Sequence, residues 1–93
     1  MITIKEAEII ANQYLIDLQV KIGDPVQLTK VQEEPFGWVF FYQSKDYLET
    51  GNLSSMLAGN APFIVDHKTG AVHVLGTVHP ADVYIKEYAQ LHG

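Results

Sequence analysis

The chain has no cysteine and no arginine among its 93 residues. Without cysteine it has no disulfide framework, no thiolate zinc site and no cysteine nucleophile. Without arginine it lacks the side chain most used for guanine edges, bidentate phosphate contacts and transferring phosphoryl groups. The six positive residues are all lysine, against eleven Asp and Glu, and the formal net charge is −5. Such a chain is a poor nucleic-acid binder, and its field favours basic partners. The same charge also keeps a small domain soluble. Long hydrophobic runs are missing too: no apolar stretch approaches the roughly 18–20 residues of a membrane span, and no signal-peptide pattern opens the chain. Neither a nucleic-acid nor a membrane partner is expected, and the expected address is the cytoplasm.

What is present is a balanced globular composition, 47% apolar with a mean hydropathy of +0.03. That balance fits a folded rather than a disordered chain. The length allows one core and not two, so residues 1–93 read as a single domain.

Thr3 and Glu6 fit a capping box at a helix start. Ala7, Ile10, Ala11, Tyr14, Leu15 and Leu18 then recur at helical spacing, and Gly23-Asp24-Pro25 breaks the helix. Residues 26–32 alternate as a strand with one wet face. Glu33-Glu34-Pro35-Phe36-Gly37 reads as a turn, with two carboxylates at its tip. Trp38-Val39-Phe40-Phe41-Tyr42 is apolar on both faces and reads as a central strand covered on each side. The expectation is that Trp38, Phe40 and Tyr42 meet both helices, while Val39 and Phe41 meet a long loop.

That loop, residues 43–61, has room for two single helical turns ended by Gly51-Asn52 and Gly59-Asn60. Leu48, Leu53, Met56 and Leu57 are expected to pack it down as an ordered segment. Residues 62–65 and 71–75 read as a hairpin, with Asp66 bonding the turn amides and Gly70 supplying a positive φ. Pro80 and Asp82 suit a helix start, and Val78 and Val83 a hydrophobic staple. Tyr84, Tyr88 and Leu91, helped by Ala81 and Ile85, form the expected buried stripe. The order α-β-β-β-β-α makes an α+β domain: a four-stranded antiparallel sheet flanked by N- and C-terminal helices, with a long ordered loop between strands 2 and 3.

No catalytic, cofactor or metal site emerges. His67, His73, His79 and His92 lack the i, i+4 spacing of a zincin-like pair. Ser44, Ser54 and Ser55 lack a nucleophile-elbow context and suit turn caps. The glycines are spread through turns and do not cradle a phosphate. Glu33/Glu34 and Asp46/Glu49 are the carboxylate pairs open to acid–base work, but a domain with thin layers rarely gives them a deep cleft.

The run from Trp38 to Pro80 resembles the immunity protein 35 family, also called YrhB-like. The resemblance lies in Gly37-Trp38-Val39-Phe40-Phe41-Tyr42, Tyr47-Leu48-Glu49-Thr50-Gly51 and Leu57-Ala58-Gly59-Asn60-Ala61-Pro62. Ile64-Val65-Asp66, Thr69-Gly70 and Leu75-Gly76-Thr77 continue it, with Pro80 and the tyrosine-containing last helix. The resemblance implies a bacterial immunity protein without enzymatic activity or cofactor, encoded beside a polymorphic toxin that it binds and neutralises. The alternative it implies is a chaperone-like holdase. The expected partner is a cognate toxin with a basic active-site surface, and self-association is compatible with the sequence. Exposed acidic loops are the expected docking surface: Asp46, Glu49, Asn52 and Asn60 in the long loop, with Glu33 and Glu34 at the other end of the sheet.

Overall fold

The computed structural model describes residues 1–55 and 61–92. In chain order the elements are α1 (Ile4–Ile22), β1 (Val26–Glu34), β2 (Gly37–Ser44), α2 (Lys45–Thr50), a 3₁₀ turn (Leu53–Ser55), β3 (Phe63–Asp66), β4 (Val72–Val74) and α3 (Ala81–His92). The four strands form an antiparallel meander in the order β1-β2-β3-β4. Among the described residues no helix is long and apolar enough to cross a membrane.

The first helix starts where the sequence places it. Thr3 Oγ1 accepts from the Glu6 N–H at 3.3 Å, and the Glu6 carboxylate accepts from the Thr3 N–H at 3.1 Å. Gly23 ends the helix in the left-handed region. Ala7 and Ala11 are fully buried; such small side chains let the helix lie close on the sheet.

The helices do not share a face. Trp38, Phe40 and Tyr42 meet α1 through Ala7, Ala11 and Leu15, together with Phe63 and Val65. Val39 lies on the opposite side with Phe36, Ile64, Leu75 and the α3 residues Ile85 and Tyr88, and Phe41 packs at its margin. The expectation that one face takes both helices and the other takes the loop is therefore corrected. The alternation of a doubly apolar strand shows that both faces are covered, but not which element covers each. Phe40 stacks on Phe63 with ring centroids 5.5 Å apart, and Tyr14 tilts against the same ring at 4.4 Å. Burying each such ring stabilises the fold by roughly 1.5–3 kcal/mol.

Several boundaries shift. β1 runs through Glu33 and Glu34, so the turn is only Pro35-Phe36, and Phe36 is buried against Tyr88 at 4.8 Å between centroids. Gly37 has φ 145°, and a Cβ there would run into the Val65 carbonyl oxygen. Only glycine fits this close approach of β2 to β3.

Leu91 is 80% exposed and does not join the α3 stripe, which is made by Ile85 and Tyr88 with Ala81, Tyr84 and Ala89. Val78 is 85% exposed and makes no staple; the helix entry is held instead by Pro80 O accepting from the Val83 N–H at 3.1 Å. In the long loop the first short turn forms as α2 and the second is described only over its start, Leu53–Ser55, while Leu48 and Leu53 are exposed rather than packed down. Met56, Leu57 and the Gly59-Asn60 pair lie outside the described residues.

Candidate functional site

The β1–β2 hairpin separates the carboxylates singled out in the sequence. Glu34 pairs with Gly37 beside the turn, and Val26 pairs with Ser44 at the far end. At ~3.3 Å per residue these ends lie about 25 Å apart, so Glu33 and Glu34 form no patch with Asp46 and Glu49. Glu33 is exposed, and Glu34 is half-buried, accepting from the Gln32 side-chain amide at 2.9 Å. Both border a shallow hollow with Met1, Ile2, Trp38 and His67.

At the other end Ser44 caps α2, its Oγ accepting from the Tyr47 N–H at 3.3 Å. Asp46 and Glu49 are exposed on this helix. Thr50 Oγ1 donates to the Asp46 carbonyl at 2.8 Å and accepts from the Asn52 N–H at 3.1 Å. Asn52 Oδ1 in turn accepts from the Ser54 N–H at 3.1 Å and the Ser54 hydroxyl at 2.8 Å. The structure thus brings Asp46, Glu49 and Asn52 together on one hydrogen-bonded, exposed segment. Asn60 lies outside the described residues.

The histidines are dispersed. His67 sits in the β3–β4 turn, His73 in β4, His79 ahead of α3, and His92 ends that helix. Among the described residues no group of three or more His, Asp or Glu side chains is placed to hold a metal ion.

Asp66 is the buried carboxylate among the described residues. Its Oδ1 accepts from the Lys68 N–H at 2.8 Å and the Thr69 N–H at 3.3 Å, as the turn reading expects. Its Oδ2 accepts from the Tyr88 hydroxyl at 2.8 Å. Burial disfavours the charged carboxylate, but the Tyr88 bond, the two amide bonds and nearby His67 outweigh it and hold the carboxyl below its ordinary value. Burial, followed by the bond to Asp66 and its charge, pushes the Tyr88 phenol up to about 12. This pair fastens α3 to the turn and fixes the Tyr88 ring; a phenol held that high keeps its proton near neutral pH.

Tyr88 also lines a cavity of about 300 Å³ between β4 and α3, together with His73, Gly76, Tyr84 and Glu87. By sequence Tyr84 and Tyr88 read as core, and Glu87 carries no signal of its own. The available signal was their spacing, since i, i+3 and i+4 share one helix face.

These surfaces offer charge and shape for binding. Residues 5–90 match the family model described as immunity protein 35. The chain belongs to the immunity protein 35 family. It is also 41% identical over 88 residues to a protein of Escherichia coli strain K12 named uncharacterized protein YrhB, covering 95% of this chain and 89% of that one. No solved structure shows a significant match to the chain.

Proposed function

We propose that this protein is a non-enzymatic immunity protein that binds one cognate toxin of a polymorphic toxin system in the cytoplasm and masks its active surface. Family membership across residues 5–90 carries the reading. The net charge of −5 and the absence of arginine support a toxin with a basic surface, because complementary charge speeds encounter and selects the partner. The docking edge is the exposed segment holding Asp46, Glu49 and Asn52, with Glu33 and Glu34 as the competing end.

The direct test is survival of a host expressing the toxin encoded beside this gene, with and without the chain. Growth is expected only when the chain is present. Arrest despite abundant soluble chain would overturn the reading.

One observation favours a second reading, a chaperone-like holdase. Ile9, Ile16 and Val20 are all exposed on α1, and separations of seven and four residues place them on one stripe of the helix. An uncovered apolar stripe of this kind suits transient capture of unfolded chains. Suppression of aggregation of unrelated clients, lost on Ile16→Ser with Val20→Ser, is the outcome this reading expects.

A further inference from the structure

We infer that the cavity between β4 and α3 recognises a basic side chain, a guanidinium or ammonium on an aliphatic stem, presented by the toxin partner; the inference rests on the immunity reading above. Three rings line the cavity: His73, Tyr84 and Tyr88. Each tyrosine is pinned from behind. The Tyr88 hydroxyl donates to Asp66 at 2.8 Å, and its ring meets Phe36 at 4.8 Å and His73 at 5.1 Å. The Tyr84 hydroxyl accepts from the His79 N–H at 3.1 Å. Its ring lies so close to Gly76 that a Cβ there would stand 2.6 Å from ring carbon Cζ. The Tyr88 hydroxyl is engaged by Asp66, and the Tyr84 hydroxyl oxygen already accepts one bond. Rings already fixed in place lose little freedom when a ligand arrives.

The charge of the lining selects the ligand. Glu87, exposed on α3, is the single carboxylate among the lining residues, and no lysine joins it. Aromatic surface beside one carboxylate is the environment that attracts a cation. The stem of a long basic side chain would lie along Val74 and Leu91 at the rim, which are largely exposed. At about 300 Å³ the cavity stands at the lower limit of small-molecule sites, about 300–1,000 Å³, and suits one side chain. A protein supplies that side chain because β4 is an edge strand of the sheet, where the backbone of a partner can approach.

The test is an NMR titration of the intact chain with N-acetyl-arginine amide, using N-acetyl-leucine amide as the apolar comparator. Saturable shifts are expected at the amides of His73, Gly76, Glu87 and Leu91. Glu87→Gln, on an exposed helical position, should keep the thermal midpoint and weaken the arginine probe about threefold to tenfold. Absence of saturable shifts at these amides, equal binding of the leucine probe, or unchanged binding in Glu87→Gln overturns the assignment. Toxin protection that persists when the probe fails to bind would sink the cavity and spare the immunity reading. Probe binding without toxin protection would sink the immunity reading, and with it the toxin as occupant.

Discussion

Tyr88 donates its hydroxyl proton to the Asp66 carboxylate at 2.8 Å, joining the last helix to the β3–β4 turn across 22 residues of sequence. The bond closes one face of the sheet, because Tyr88 also packs with Phe36 and Val39 in the cluster beneath α3. It has consequences at both ends of the pH scale.

Asp66 is held below its ordinary value of 3.8. Its contribution to stability is therefore present above that value and lost as pH falls through the lower folded value. Tyr88 is raised from 10.0 to about 12. Its contribution is present below 10 and lost as pH rises toward 12. Urea unfolding across pH should show both declines, with Asp66→Asn flattening the acid one and Tyr88→Phe the alkaline one. At neutral pH Tyr88→Phe should cost about 1.5–3 kcal/mol, as for a hydrogen bond to a charged group. A Tyr88→Phe variant as stable as the parent at every pH would show that the bond is not formed in solution.

Gly37→Ala should destabilise strongly, by roughly 3 kcal/mol, because the added methyl group meets the Val65 carbonyl of a neighbouring strand. A loss below about 1 kcal/mol in chemical denaturation would mean that β2 and β3 are not so closely paired.

Phe40→Ala should cost about 3–5 kcal/mol, since it empties space between α1 and the sheet. Leu91→Ala should change stability by less than about 0.5 kcal/mol, because that side chain is exposed. Comparable losses at the two positions would contradict the burial described for α3.

The difference between these leucine and phenylalanine positions marks what was readable in advance. Local signals were legible: the Thr3–Glu6 capping box, the doubly apolar β2, and Gly70 with Asp66 in the hairpin turn all stand as the sequence implies. Long-range choices were not. Leu91 continues the helical period of Tyr84 and Tyr88 but stands 80% exposed at the rim of the cavity. Nothing in the alternation of residues 38–42 states which helix crosses which face. Phe36 reads as a turn residue and is one, yet it is buried, because a two-residue connection can still turn one ring into the core. The cavity is assembled from β4, the connection after it and α3, so no single stretch announces it.

Charge reversal of Asp46 with Glu49 to lysine should slow toxin association and flatten its dependence on salt, because both side chains are exposed. Unchanged kinetics in that variant, with protection abolished by reversal at Glu33 and Glu34, would move the docking edge to the opposite end of the sheet.

The central claim is that the chain neutralises one toxin by stoichiometric binding. Calorimetric titration of the purified chain into the proposed cognate toxin, with toxin activity followed in parallel, tests this most directly. The account predicts saturation at one chain per toxin, nanomolar or tighter affinity, and loss of activity that tracks occupancy. Full toxin activity in the presence of excess folded chain would contradict it.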